Sequence, residues 1–456
     1  MLTDRPAAEE PQVFTSGDFQ YIVLPDGTAE ITDYTGNAPA PVVPDTLDGR
    51  RVTRIGVHAF EGRSLTAVTL PDSLTAIGAG AFEGCKRLAG ITIPEGVTVI
   101  GDSAFFDCDD LTHVLLPDSV TAIGDAAFAA CSSLAAVILP RHLTAIGDYL
   151  FYMSGLVSVT LPDDVKTIGD HAFAMCGHGG LASLSLPDGL TAIGDDAFAG
   201  SIRLTGVTIP DSVTTVGTNP FSDCYQLARI CVSPDHPALA VADGVLYSRA
   251  DGRLVCCPCA LPAGRCVIPP GIRAIGANAF SGCRSLTAVI IPDSVTALGD
   301  WAFQGCSRLT HITLPDSVTA IGRGAFSGCA SLAGVTLPRG LARIPDNMFF
   351  ECERLAAVTI PEGVTAIGDL AFHGCSSLTG VTLPHSLTAI GGWAFRSCHS
   401  LAALTIPAGV TVIEVDAFHD CPALTLTVTP GSCAEDYFRR NHLKYTCPDA
   451  NDWLND

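Results

Sequence analysis

Cysteine is the residue type best able to do chemistry in this chain of 456 residues, which contains 19 cysteines. Four of them lie close together at Cys256, Cys257, Cys259 and Cys266. Four thiolates can hold a zinc ion, but this run lacks the paired Cys-x2-Cys arms that are typical of zinc sites. We therefore favour small apolar filling of a strand and predict no metal site and no cofactor. A disulfide, for example between Cys256 and Cys266, is the alternative interpretation if the chain is exported.

Twelve further cysteines recur at one position of a repeated pattern, at Cys85, Cys108, Cys131, Cys176, Cys224, Cys283, Cys306, Cys329, Cys352, Cys375, Cys398 and Cys421. Neighbouring strands in a stack lie about 4.8 Å apart, with their side chains parallel. A disulfide needs Cβ atoms that converge to about 3.8 Å. The pattern therefore predicts a column of buried free thiols.

Carboxylates and imidazoles are also spread along the chain. A carboxylate follows a proline in most repeats, at Asp72, Glu95, Asp118, Asp163, Asp188, Asp211, Asp293, Asp316 and Glu362. Calcium needs about six or more oxygen ligands, so one carboxylate per repeat indicates a turn residue. The 12 histidines are dispersed, and the chain has no Gly-x-Ser-x-Gly, His-Glu-x2-His or Gly-Lys-Ser/Thr motif. Since no constellation of catalytic residues is present, we predict that the protein is not an enzyme.

The recurring cysteines and carboxylates belong to one sequence pattern with a period of 23 residues, as in ITLPDSVTAIGRGAFSGCASL at 312–332. Two short alternating stretches, 312–314 and 318–321, predict a first strand and a second strand that are joined by a Pro-Asp turn. An Asp that often follows the next glycine suits the N-cap of a helix of one or two turns. No unit can bury its apolar side alone, so the units must stack.

Phenylalanine supports the same interpretation. Of the 20 phenylalanines, 15 share one position of the repeat: Phe60, Phe82, Phe105, Phe128, Phe151, Phe173, Phe198, Phe221, Phe280, Phe303, Phe326, Phe349, Phe372, Phe395 and Phe418. An aromatic binding stripe is conceivable, but large apolar residues at a fixed position of a stacked unit favour a buried spine.

The pattern Leu-x-x-Ile-x-Leu-Pro followed by Val-Thr-x-Ile-Gly-x-x-Ala-Phe-x-Gly-Cys resembles the BspA-like bacterial leucine-rich repeats over residues 43–429. The segments 21–36 and 431–445 are similar to the caps of that class. The resemblance implies an α/β repeat fold, a right-handed leucine-rich-repeat solenoid. It would have short parallel strands, short helices and about fifteen coils.

The same resemblance implies a non-catalytic scaffold on the bacterial surface or secreted, which binds host or matrix proteins in adhesion. The alternative is an intracellular scaffold for protein assembly. It is favoured by the start MLTDRPAAEE, which lacks the basic and then apolar pattern of a signal peptide. Either the chain stays inside the cell, or a leader precedes this numbering.

We predict five segments: an N-terminal tail and β-rich cap at 1–42, a first block of repeats at 43–226, an island at 227–268, a second block at 269–429, and a C-terminal cap and tail at 430–456. Within the island, two alternating stretches flank residues 249–252 and predict a β-hairpin.

Charge and hydropathy limit the possible partners. The formal net charge of -22 repels phosphate backbones, so we expect no nucleic-acid partner. No apolar run approaches the roughly 20 residues that span a bilayer, so we expect no membrane insertion. We expect a monomer that binds a protein ligand, which the sequence does not identify.

The residues that flank the buried position of each first strand should point outward. Most are Thr, Ala, Gly or Ser, as befits a plain strand surface. Two groups on neighbouring coils differ: His113, Leu115 and Ile138 in the first block, and Ile290 and His311 after the island. Exposed apolar and imidazole groups predict a patch that contacts a partner. Drift between repeats is the alternative explanation.

Overall fold

The computed structural model describes residues 11–177, 180–261 and 264–447. The ends of the two predicted tails, 1–10 and 448–456, lie outside the described residues. The chain forms two compact units, one made of Met1–Leu204 with Ser212–Pro220 and the other of Thr205–Asp211 with Phe221–Asp456. Stacked parallel strands make a β-solenoid of about 18 turns.

The first strands lie where the Leu-x-x-Ile-x-Leu pattern predicts them. In the first unit Gly90–Thr92 pairs in parallel with His113–Leu115, and isolated bridges join Val42 to Thr69 and Ile138 to Thr160. In the second unit the first strands are Gly206–Thr208, Arg229–Cys231, Arg265–Val267, Ala288–Ile290, His311–Thr313, Gly334–Thr336, Ala357–Thr359, Gly380–Thr382, Ala403–Thr405, Thr425–Thr427 and Tyr445–Thr446.

The second strands cover the Ala-Ile pair of each repeat and also stack in parallel. In the first unit they are Arg50–Ile55, Ala76–Ile77, Val99–Ile100, Ala122–Ile123, Ala145–Ile146, Thr167–Ile168, Ala192–Ile193 and Thr215–Val216. In the second unit they are Arg253–Cys256, Ala274–Ile275, Ala297–Leu298, Ala320–Ile321, Arg343–Ile344, Ala366–Ile367, Ala389–Ile390 and Val412–Ile413.

The N-terminal cap is a β-meander that leads into the stack. Val13–Ser16, Phe19–Val23 and Ala29–Tyr34 pair antiparallel in order, and Ala29–Tyr34 then pairs in parallel with Arg50–Ile55. The short strand Thr46–Leu47 pairs antiparallel with Arg50–Ile55.

The expected short helix in each coil is not formed. Among the described residues the helix is Cys433–Arg440 in the C-terminal cap, where Ser432 Oγ accepts the Glu435 N–H at 3.2 Å. Each repeat instead has a run of turns whose backbone N–H groups donate to carbonyls of the next coil. The aspartate predicted as an N-cap instead accepts a hydrogen bond from the next coil, since Asp125 N–H donates to Asp102 Oδ1 at 3.0 Å.

The phenylalanine spine is confirmed. All 15 repeat phenylalanines are at most 1% exposed. Successive rings stack, for example Phe82 on Phe105 and Phe105 on Phe128, with centroids 5.3 Å apart in both pairs. The stack accounts for the low exposure, because each ring covers the face of the next.

The number of coils exceeds the predicted fifteen because both caps and the island extend the stack. Tyr34 of the N-terminal cap stacks on Phe60 at 5.4 Å. Phe438 of the C-terminal helix packs edge-on against Phe418 at 5.5 Å. These rings occupy the spine position without the rest of the repeat pattern, so a pattern count omits them.

The island contains the predicted hairpin. Val245–Ser248 pairs antiparallel with Arg253–Cys256, and Leu239–Ala242 adds a further antiparallel strand. Arg253–Cys256 then pairs in parallel with Ala274–Ile275, so the island forms a coil of the second unit. Its residues Val245 and Leu254 are fully buried.

Candidate binding surface

The first strands present a regular outward surface. In His113–Leu115 the central Val114 is 4% exposed, and its two neighbours face solvent. The same exposed, buried, exposed order holds in His311–Thr313, Ala357–Thr359 and Ala403–Thr405. Because alternate residues of a strand point to opposite sides, the sequence pattern alone determines which side chains a partner can reach.

Leu115 and Ile138 expose large apolar side chains on this surface in the first unit. They are 56% and 82% exposed and occupy equivalent positions on consecutive coils. Leu115 lies opposite Thr92 in the parallel register, and Ile138 lies opposite Thr160. Both side chains are therefore free to be covered by another molecule.

His113 is positioned by the strand beside it. A Cβ atom on Gly90 would lie 2.2 Å from Cε1 of the His113 ring, so the ring lies over the glycine. The Nδ1 atom of His113 is 3.0 Å from Thr112 Oγ1. The imidazole is exposed, and its position depends on the missing side chain at Gly90.

In the second unit the surface has a further apolar pair. Ile290 is 51% exposed and lies opposite Val267, which is 50% exposed. Val267 was not among the predicted residues, although it precedes Ile-Pro just as Ile290 does and could have been aligned with it. His311 lies on the neighbouring coil against Gly334, whose Cβ would be 3.3 Å from the ring. Ile290 and His311 stand at the two different outward positions of their strands.

A hollow of about 730 Å³ opens on the first strands near the C-terminal end of the second unit. Ala357, Gly380 and Ala403 line it at one outward position, and no atom lies within 4 Å of the place where a Gly380 Cβ would stand. The small residues leave this space, and part-exposed Val381 and Leu383 supply apolar walls. None of the predicted site residues lies here; three successive small outward residues are the signal that could have revealed it.

A second hollow, of about 570 Å³, contains Ile138 in the first unit. Its rim is charged, since His142 Nδ1 is 3.1 Å from Asp164 Oδ2. Arg141 forms an ion pair with Asp118 and holds the pKa of that carboxyl below its usual value by a hydrogen bond. An apolar centre with polar groups around it is the usual composition of a protein-binding patch.

The repeat cysteines are core residues rather than part of this surface. The 19 thiols are free, and eleven of the twelve repeat cysteines are buried, with Cys421 half-buried. Ten donate to the carbonyl of a phenylalanine in the preceding coil, as Cys329 does to Phe303 at 3.2 Å. Over the residues that the structure describes, no group of three His, Cys, Asp or Glu is placed to hold a metal ion.

The four island cysteines fill the core of the second unit. All four are buried. Cys257 N–H donates to Ala279 O at 2.8 Å, which is the bond that a spine phenylalanine makes in other coils. Burial raises the pKa of the Cys257 thiol, so this thiol stays neutral at neutral pH. Cys283 Sγ lies 3.1 Å from Cys259 Sγ and donates to it.

Comparison with known proteins agrees with this architecture. Residues 53–178, 177–237, 262–379 and 343–437 match the model of the BspA type leucine rich repeat region. The chain therefore belongs to the BspA-type leucine-rich repeat family. No match was found among curated proteins.

Solved structures with similar folds come from bacteria. A leucine rich cell surface protein from Faecalibacterium prausnitzii is 32% identical with a TM-score of 0.61, over 90% of this chain and 96% of that one. A leucine-rich repeat protein from Eubacterium ventriosum is 25% identical with a TM-score of 0.51, over 89% and 93% of the two chains. The pneumococcal vaccine antigen PcpA is 18% identical with a TM-score of 0.51, and shares the fold, over 97% and 100%.

Membrane insertion has no helical candidate here. Within 11–177, 180–261 and 264–447, no helix is both long enough and apolar enough to cross a bilayer.

Proposed function

We propose that the protein is a non-catalytic scaffold that binds another protein through the outward surface of its first strands. The observation that carries this proposal is the exposure of Leu115 and Ile138, which are 56% and 82% exposed on consecutive coils. Residues on neighbouring coils at these positions are mostly threonine. A few apolar anchors that become fully desolvated usually supply most of the energy of an interface.

The second unit offers additional contact area at the pair Val267 and Ile290 and at the hollow around Gly380. The pair is exposed by 50% and 51%, and the hollow measures about 730 Å³. His113 and His311 add polar groups that each lie on a neighbouring glycine. We propose that His113, Leu115, Ile138, Ile290 and His311 belong to the binding surface.

We further propose that this scaffold acts on the bacterial surface or in secreted form, where it contacts host or matrix proteins. The similarity to a protein described as a leucine rich cell surface protein supports this placement. An intracellular scaffold for protein assembly is the second candidate. It is favoured by the 19 free thiols, because cysteines stay reduced in the cytosol.

The first experiment replaces both apolar anchors, as Leu115→Asp with Ile138→Asp. A partner is captured from matrix or host-cell extracts with the wild-type chain, identified by mass spectrometry, purified, and measured by titration calorimetry. The double variant should bind this partner about tenfold more weakly or worse, which corresponds to about 1.4 kcal/mol. Its thermal midpoint should hardly move, since both side chains point away from the core.

The matched control is Asp293→Ala with Asp316→Ala, two exposed turn residues of the second unit. This pair should leave binding unchanged. If Leu115→Asp with Ile138→Asp also binds like wild type, the two anchors are not the contact. A third variant, Gly380→Leu, then tests whether the partner binds at the hollow, because a Cβ atom at this position meets no neighbour within 4 Å and the leucine side chain would occupy the hollow.

A further inference from the structure

The turns after the second strands hold two positions with a left-handed backbone in coil after coil. Glycine, for which this backbone carries no steric cost, stands at the earlier position in Gly80 and Gly324, with φ of 59° and 60°. At the later position it stands, for example, in Gly84, Gly305 and Gly328, with φ of 65°, 66° and 69°. Other coils mostly use small or polar residues at these two positions, and Trp301, Leu370 and Trp393 are large residues at the earlier one alone.

Two consecutive coils of the first unit place large side chains at both positions. Tyr149 and Met153 have φ of 56° and 55°, and His171 and Met175 have φ of 53° and 57°. Tyr149, Met153 and Met175 are 41%, 53% and 52% exposed. The Tyr149 ring stacks on His171 at 4.8 Å and meets Tyr152 edge-on at 5.6 Å. We name Tyr149, Tyr152, Met153, His171 and Met175 the aromatic–Met patch.

The fold does not require these side chains. The Tyr149 N–H donates to Asp170 O at 2.8 Å, and the Met153 N–H donates to Ala174 O at 3.0 Å. Any residue in the left-handed conformation, glycine included, can make these two bonds. Large side chains at positive φ are strained, and the stacking of Tyr149 on His171 offsets only part of that strain. Strain on exposed residues without a gain for the fold indicates a function.

Aspartates adjoin the patch in the chain. Asp195 and Asp196 stand on the coil after His171, at the positions equivalent to Asp170 and His171. Asp148 and Asp170 directly precede Tyr149 and His171 in the chain. Tyrosine rings attract guanidinium and ammonium groups on their faces, and methionine adapts to apolar side chains of varied shape.

We propose that the aromatic–Met patch is a second docking surface, and that it binds a protein segment in which basic and apolar side chains alternate. Positive charges of that segment meet the aspartates and the tyrosine faces, while its apolar side chains cover Met153 and Met175. A second copy of this chain fits poorly, because each copy carries a formal net charge of -22. This surface is separate from the first-strand surface, so either can exist without the other.

The test uses a short synthetic peptide in which Arg and Leu alternate, and the same peptide with Glu in place of Arg. The full chain should bind the Arg peptide at low salt and not the Glu peptide, as measured by titration calorimetry. The variant Met153→Gly with Met175→Gly restores the glycine of other repeats. It should bind the Arg peptide about tenfold more weakly or worse, and its thermal midpoint should rise because the left-handed strain is relieved.

The control variant is Ser397→Gly, which changes the same turn position at φ of 60° in the second unit, outside the patch. It should bind the Arg peptide like wild type. Three results would each overturn the proposal. The first is that Met153→Gly with Met175→Gly binds the Arg peptide as tightly as wild type does. The second is that this variant has a lower thermal midpoint than wild type. The third is that the full chain binds the Glu peptide as tightly as the Arg peptide. Leu115→Asp with Ile138→Asp should leave peptide binding intact, which separates this surface from the first-strand surface.

Discussion

A spine phenylalanine joins its neighbours through both its ring and its backbone. Phe326 stacks on Phe303 at 5.4 Å and on Phe349 at 5.8 Å. Its N–H donates to Met348 O at 3.0 Å, and its carbonyl accepts the Cys352 thiol at 3.1 Å. One side chain and one peptide group thus contact the coils on either side, and the thiol is a second donor to a buried carbonyl that also accepts the Cys329 N–H at 3.2 Å.

Replacing Phe326 by alanine should lower the free energy of unfolding by about 3–5 kcal/mol, because a cavity opens between two coils. Phe14→Ala is the comparison. Phe14 lies outside the repeats, is half-buried and stacks only on Tyr21 at 5.5 Å among aromatic contacts of the described residues. Urea denaturation of both variants measures the difference. Equal losses of stability would mean that the spine contributes no more than a surface ring pair.

At the residue scale the sequence predicts well which residues are buried. It predicts poorly the position of a side chain that depends on a residue of the adjacent coil. The spine and the thiol column follow from strict periodicity, since a stack repeats the environment of each position. The position of His113 does not follow in this way, because it depends on a glycine 23 residues earlier in the chain, at Gly90. The hollow at Gly380 was also not predicted, since it arises from three small residues on separate coils.

At the scale of the single coil, the expected helix and the observed turn share most of their sequence signals. An aspartate after glycine suits an N-cap, and it suits equally the acceptor for a backbone N–H of the next coil, as in Asp148 to Asp125 at 2.8 Å. Alanine at the following positions even favours a helix. What decides is the left-handed backbone at residues such as Ala126 and Ala130, with φ of 55° and 57°. Contacts between coils impose this backbone, and they are not visible in one repeat.

The thiol column should make the coils sensitive to alkali. Burial raises the pKa of Cys131 from 9.0 to about 12. The unfolded chain therefore loses this proton first, so stability is complete below about pH 9 and falls as pH rises towards 12. Each such thiol contributes a slope of up to about 1.4 kcal/mol per pH unit over that range. Urea denaturation at increasing pH should show this loss.

Cys131→Ser provides the comparison, since Ser154 already occupies the equivalent position of its coil and is 1% exposed. The variant should have a shallower alkaline slope than wild type and a similar dependence below pH 8. An identical slope would show that other groups, such as tyrosines, cause the alkaline loss.

The whole molecule carries 47 acidic and 25 basic residues and therefore has a large excess of negative charge. Some charges pair, as Lys86 does with Asp107 at 3.0 Å and with Asp109 at 3.3 Å. Most carboxylates repel one another across the surface, which favours expansion of the chain. The acidic surface also distinguishes the docking partner proposed for the aromatic–Met patch from a second copy of the chain.

Added sodium chloride should therefore stabilise the protein. Between about 0.02 M and 0.2 M salt the Debye length falls below about 10 Å, and repulsion among carboxylates is screened. We expect the thermal midpoint at pH 7 to rise by a few degrees, measured by circular dichroism, with sucrose of equal osmolality as the control. A falling midpoint would show that attractive ion pairs outweigh the excess negative charge.

Successive coils are joined by hydrogen bonds between equivalent residues, such as Thr319 N–H to Thr296 O at 3.0 Å and Thr388 N–H to Thr365 O at 2.9 Å. Every coil therefore offers its successor the same donors and acceptors as its predecessor did. A recombination between two repeats of the gene that removes one whole coil leaves each remaining residue facing an equivalent partner. The loss of a single residue can also be absorbed outside the columns, since Phe151 and Phe173 are 22 residues apart and still stack at 5.5 Å. The gene can thus lengthen or shorten by whole repeats, because the gain or loss of a whole repeat preserves both the reading frame and the contacts between coils.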